Sequence, residues 1–147
     1  MIGQMIAAII GTVAFCVLFS VPRRYILLGG ITGGAGWAVY LLASRGLGYG
    51  TSILIAAAAV VFLSRILAVR FHCPSPVFMI TGLFPLVPGA GVYWTTYYIV
   101  LGDLSMAAQS GYDAIKASVA IVLGIVFIFE LPQVIFAKLG GIGKRGC

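Results

Sequence analysis

The chain has 147 residues, 62% of them apolar and only 8% charged, with a mean hydropathy of +1.16 and a formal net charge of +6. Soluble proteins carry roughly 25% charged residues, so a folded surface of this size has too little charge to face water, and a soluble globule is excluded. The bilayer is the expected solvent, and at roughly 20 residues per helical span the length allows about five spans, short loops and no separate soluble domain.

Span one is the continuous apolar run from Ile2 to Val21, which Pro22, Arg23 and Arg24 terminate with a helix breaker and two cations. It lacks a basic n-region and an A-x-A-like site, so it reads as a retained span, not a cleaved signal peptide. Span two, residues 25–42, holds two interleaved G-x-x-x-G pairs, Gly29/Gly33 and Gly30/Gly34. Small residues at that spacing let helix backbones approach closely, which makes span two a helix-packing, interface element.

Ser44 to Gly50 reads as a glycine-rich turn carrying Arg45, and span three follows over residues 51–69 with Arg65 near its end. The next loop holds Arg70, His72, Cys73 and Pro74. The fourth segment, residues 76–102, is interrupted by Pro85-Leu86-Val87-Pro88-Gly89-Ala90-Gly91. A polar loop with Asp103, Gln109, Asp113 and Lys116 is expected next, then span five over residues 117–137 and a short basic tail over 138–147. The fold class is therefore all-α integral membrane, one domain of five transmembrane helices with the fourth broken.

Arg23, Arg24, Arg65, Arg70, Lys138, Lys144 and Arg145 fall on one side and Arg45 and Lys116 on the other. By the positive-inside rule the N-terminus lies outside and the C-terminus in the cytoplasm. Trp37, Tyr40, Tyr49, Tyr97, Tyr98 and Tyr112 then lie near the outer interface, where amphipathic rings prefer to sit. With the cations beside apolar runs, the positive charge is an orientation signal and no nucleic-acid partner is expected.

Enzyme signatures are absent: there is no H-E-x-x-H, no G-x-S-x-G and a single histidine. Gly140-Gly141-Ile142-Gly143-Lys144-Arg145 lacks the Ser/Thr and the following helix of a phosphate loop. Cys16, Cys73 and Cys147 are odd in number and without C-x-x-C spacing, so they read as free thiols. His72 and Cys73 have no further ligands at suitable spacing, and neither metal nor cofactor is expected.

The break carries the strongest chemical signal. Pro85 and Pro88 lack an N–H, and their rings clash with the carbonyls of Thr81 and Phe84, so regular helix should stop between residues 81 and 88. Irregular backbone at membrane depth is tolerated only where protein or a water-filled cavity satisfies it. A half-helix restarting at Gly89 to Gly91 would offer free amide donors and the positive end of its dipole to an anion. That is how discontinuous helices of secondary transporters meet a substrate carboxylate near the midplane. The candidate substrate residues are Thr81, Gly82, Pro85 and Pro88, together with Gly89, Gly91 and Thr95, for a small carboxylate.

Glu130 is the acid inside a span, where a charge costs roughly 2.5–3.5 kcal/mol on insertion scales. An ion pair between Glu130 and Arg65, with proton coupling through Glu130, is expected.

The stretch from Pro76 through Gly82-Leu83, Pro85-Leu86-Val87-Pro88-Gly89 resembles the signature of the threonine/serine exporter family, in particular its C-terminal five-span domain, which in many bacteria is a separate small subunit. The resemblance implies export of threonine or serine, or of dicarboxylates such as succinate in members split into two chains. It also implies a larger five-span membrane partner of the same family. Two other readings stay open: a non-transporting assembly subunit whose glycine-rich helix packs that partner, and a homo-oligomeric channel.

Overall fold

The computed structural model describes residues 2–132 and Phe136, and among these every regular element is helical. The basic tail, with Lys138, Lys144, Arg145, the Gly140–Gly143 run and Cys147, lies outside the described residues, as does the end of the fifth expected span.

Helix α1 covers Ile2–Leu18 and α2 Arg23–Ala43. Glycine costs about 1 kcal/mol per helical position relative to alanine in water, yet α2 runs unbroken through Gly29, Gly30, Gly33, Gly34 and Gly36. In an apolar solvent each backbone N–H must find its own chain's carbonyl, and that requirement outweighs propensity. The space the glycines leave is filled by α1. A Cβ at Gly29 would stand 2.5 Å from Cys16 Sγ, one at Gly30 2.6 Å from Val13, and one at Gly34 2.5 Å from Ile9, while one at Gly33 would overlap Thr12. Both G-x-x-x-G strips therefore grip a helix of the same chain.

Helix α3, Tyr49–Phe71, ends with His72 in the left-handed region, its N–H on Ala68 O. It is the centre of the bundle. Ile53, Ala56, Ala57, Val60 and Val61 pack with Leu83 and Leu86 on one side and with Ala117, Ala120 and Ile121 on another. Helix α4, Pro76–Leu83, starts with proline at its first position, where the missing N–H costs nothing. It lies against α2 and α3. Helix α5, Gly89–Leu101, ends at Gly102, whose φ of 78° suits glycine.

The last helix, α6, covers Leu104–Phe129 and differs from expectation at both ends. The stretch holding Gln109, Asp113 and Lys116, expected as a loop, is helical. Asp103 caps it by accepting from Met106 N–H at 3.2 Å, and a stripe of small residues, Ala107, Ala114, Ala117, Ala120 and Gly124, gives it a buried face while the polar side chains point away. At the other end the helix stops at Phe129, short of Ala137.

Three helices, α2, α3 and α6, are long and apolar enough to cross a membrane, and the bent pair Pro76–Leu86 and Gly89–Leu101 makes a fourth if counted as one span. Helix α1 falls short: its apolar core, Gly3–Leu18, measures about 24 Å at 1.5 Å per residue, below the roughly 30 Å of hydrocarbon. Five full spans are thus not reached among the described residues.

α3 and α6 run parallel: Gly50 stands beside Lys116, Gly124 against Ala57 and Ala58, and Arg65 against Ile128. The residues before Lys116 therefore extend past the start of α3 by about 18 Å. There α6 pairs with α5 as a hairpin, with Gly91 against Ala114 and Gly111 against Thr95. α5 has no buried residue. At the opposite, basic end, Tyr25 donates to Phe71 O at 3.4 Å and packs edge-on against Phe71 and Phe78, with Arg24 over its other face.

Candidate functional site

Between α4 and α5 the chain leaves regular helix, as two prolines require. The break is narrower than the sequence suggests: α-helix persists to Leu83, and Pro85 is absorbed by tightening Phe84–Leu86 into a 3₁₀ turn. Val87, the residue before Pro88, is extended at φ −61° and ψ 130°, as a following proline ring demands. The helix then restarts at Gly89, bent by 46° from α4. Gly89 N–H turns back to Val87 O at 2.8 Å and Val92 N–H reaches Pro88 O at 3.1 Å. Ala90 and Gly91 lie between them in the first turn, where amides have no intrahelical acceptor.

A cavity of about 210 Å³ opens at this break, floored by Pro85, Val87, Pro88, Ala90 and Gly91. Its opposite wall is aromatic: Trp37 and Tyr40 from α2, with ring centroids 5.0 Å apart, and Tyr49 from the start of α3. Trp37 Nε1 is buried and has no hydrogen-bond partner. A buried donor left unmatched costs about 1–3 kcal/mol. Tyr40 is one turn from the end of α2 and Tyr49 begins α3. The break cavity thus lies toward the Tyr40–Tyr49 end of α2 and α3.

The sequence-derived site residues separate in space. Pro85, Pro88 and Gly91 line the cavity, and Gly89 borders open space. Thr81 does not: its hydroxyl donates to Val77 O at 2.9 Å, and it borders a different cavity near Pro76 and Pro22. Gly82 is a packing residue, since a Cβ there would stand 2.9 Å from both Thr32 Cγ2 and Val60 Cγ1. Thr95 donates to Gly91 O at 2.7 Å and turns its methyl toward Gly111 of α6. Trp37, Tyr40 and Tyr49, expected at the outer interface, together line the break cavity. The three-residue spacing of Trp37 and Tyr40, which puts both on one face of a glycine-rich helix, is the signal that joins them.

Arg65 and Glu130 line a second cavity at the basic end, yet the expected ion pair between them is not formed. Arg65 is only 9% exposed, and its Nη1 donates to Ile128 O at 2.6 Å and Leu131 O at 3.2 Å. The reason is the early stop of α6. A helix end leaves carbonyls without donors at the negative pole of its dipole, and a buried guanidinium beside it binds them first. The rings of Phe136 and Phe129 lie 4.1 Å and 5.2 Å from the guanidinium carbon.

Residues 4–130 match the family described as threonine/serine exporter, ThrE. The chain belongs to the threonine/serine exporter family. It is also 28% identical over 124 residues to a threonine/serine exporter of Corynebacterium glutamicum, an alignment covering 84% of this chain and 25% of that protein. The chain thus spans about a quarter of the length of its curated relative. No solved structure matches. An all-helical chain of apolar helices in an exporter family is a multi-pass membrane protein.

Proposed function

We propose that this chain is the small subunit of a two-component secondary exporter that moves small carboxylates, threonine and serine or dicarboxylates such as succinate, out across a bacterial inner membrane. The observation that carries this reading is the cavity at the break, with a helix N-terminus on one wall and the rings of Trp37, Tyr40 and Tyr49 on the other. The helix N-terminus offers donors that favour an anion. At about 210 Å³ the cavity lies below the 300–1,000 Å³ usual for drug-sized ligands, which suits a small metabolite. Its position near the α2–α3 turn, taken with the orientation that the basic residues suggest, makes it the outward-facing part of the route.

A larger five-span subunit supplies the remainder, which fits a chain covering about a quarter of its curated relative. The glycine face of α2 is not where it docks, because α1 occupies that face; this weakens the assembly-only reading. Export against a gradient needs an energy source, and proton coupling through Glu130 is the proposed one. Glu130→Gln with an unchanged pH dependence of efflux would remove that residue from the coupling.

The test is efflux of labelled threonine, serine and succinate from cells with and without this chain. Trp37→Ala removes part of the aromatic wall; the half-saturating internal concentration should rise about tenfold, equivalent to about 1.4 kcal/mol. Ala90→Phe should fill the cavity and stop export with the complex intact. Unchanged efflux in both variants would overturn the reading.

A further inference from the structure

The cavity near Pro22 and Pro76, about 260 Å³, lies where α1 and α4 pack against α2. Phe19, Val21 and Pro22 form one wall and Pro76, Val77 and Ile80 the other. The first wall follows from how α1 ends. Val21 N–H reaches back to Cys16 O at 2.9 Å and Ser20 N–H to Val17 O at 3.0 Å, with Ser20 in the left-handed region at φ 55°. This cap turns the chain sharply, and Pro22, extended at φ −52° and ψ 134°, leads into α2. The second wall is one face of α4. The polar residues that border the cavity are Ser20 and Thr81, and the Thr81 hydroxyl is spent on Val77 O. Phe19 and Ile80 are 50% and 47% exposed, so the apolar lining continues onto a surface that a membrane chain turns to acyl chains.

One rim of this cavity is basic. Arg23 and Arg24 follow Pro22 directly, and both are exposed. The Arg24 guanidinium carbon lies 4.5 Å from the centre of the Tyr25 ring, and a ring beneath a guanidinium steadies it while its in-plane N–H donors remain for an acceptor. Its charge also reaches Cys73, where it opposes the rise in thiol pKa that burial imposes. Arg24 therefore stands between the start of α2 and the loop that leads to Pro76. The chain has three acidic side chains. Asp103 caps the start of α6 and Asp113 precedes Lys116, at the far end of the bundle. Glu130 is left to face Arg23, Arg24, Arg65 and Arg70, so most of the positive charge at this end is balanced by anions from outside the chain.

We propose that this cavity holds an anionic phospholipid, with part of one acyl chain between Val21 and Ile80 and the phosphate on Arg23 and Arg24. A free anion gains nothing from an apolar cavity, and a neutral apolar molecule gains nothing from two arginines. A phospholipid joins both chemistries at the depth where this site passes from basic to apolar. The basic side is the one expected in the cytoplasm, whose leaflet carries the anionic lipids that attract basic residues beside a span. The bound lipid would brace the α1–α2 turn against α4, a role beyond the exporter reading and independent of the solute moved.

The experiment is native mass spectrometry of the purified full chain in detergent, titrated with phosphatidylglycerol, phosphatidylcholine and diacylglycerol of the same acyl chains. The first phosphatidylglycerol should bind at least tenfold more tightly than either of the others, and excess inorganic phosphate should not displace it. The double variant Arg23→Gln, Arg24→Gln alters exposed side chains and should bring phosphatidylglycerol down to the level of phosphatidylcholine. Ile80→Trp should fill the cavity and weaken phosphatidylglycerol tenfold with both arginines in place. Lys116→Gln removes one charge at the far end and should change nothing. Equal affinity for phosphatidylglycerol and phosphatidylcholine, or equal losses in Lys116→Gln and the arginine variant, would overturn the site. Displacement by inorganic phosphate, or unchanged binding in Ile80→Trp, would overturn the lipid as its occupant.

Discussion

Gly33 and Gly89 show how differently one residue type can serve. A Cβ at Gly33 would overlap Thr12 of α1, whereas one at Gly89 meets nothing within 4 Å. Overpacking a closed contact costs about 1–3 kcal/mol, so Gly33→Leu should lower the folded fraction in detergent, read by gel filtration with fluorescence detection. Gly89→Ala should leave it unchanged. Asp103 is the second residue whose role is local. It accepts from Met106 N–H and from the Ser105 hydroxyl at 2.9 Å, and these bonds, the backbone one foremost, hold its carboxyl below the usual carboxylate range. A lowered folded value means that the cap is fully present above the ordinary carboxylate pKa and is lost as pH falls through the lowered one. Amide exchange at Ala107 and its neighbours should accelerate only at pH below the ordinary range, and in Asp103→Ala it should be fast at every pH. The glycine pattern was readable from spacing, but which helix would fill it was not, because spacing describes one surface and contact needs two.

At the scale of elements, the broken helix and α6 teach opposite lessons. Pro85 and Pro88 act on their own backbone, through a missing N–H and a ring clash, so the existence of a break follows from local chemistry. Its extent does not, because a 3₁₀ turn absorbs Pro85 and leaves the break at Val87 and Pro88. Replacing both prolines with alanine restores two donors and should let α4 and α5 approach one rod. Spin labels at Val77 and Ile99 should then move apart as the 46° bend relaxes, and an unchanged distance would show that packing, not proline, holds it. α6 misled in the other direction. Its first three turns are polar enough to look like a loop, yet Asp103 caps them and Ala107 and Ala114 bury a stripe. A polar surface there reports what faces outward and is silent about backbone conformation.

The whole molecule places two cavities at opposite ends of α3, one among aromatics and one among charges. The orientation expected from the basic residues makes a direct prediction. In a chain with Cys16, Cys73 and Cys147 replaced, a membrane-impermeant thiol reagent added outside should modify Ala90→Cys, which borders the break cavity, and not Ser75→Cys, which borders the Arg65 cavity. The reverse pattern would invert the topology. Composition and periodicity were enough to establish a helical chain made for lipid, interrupted near residue 88, because hydration and backbone hydrogen bonding act residue by residue. Only the tertiary structure decided that Thr81 and Gly82 serve packing, that Trp37 and Tyr49 face the break, and that Arg65 takes the carbonyls of α6 in place of Glu130. Those outcomes depend on which helix ends arrive at the same place, and a buried donor binds whichever acceptor stands nearest in space, whatever its distance along the chain.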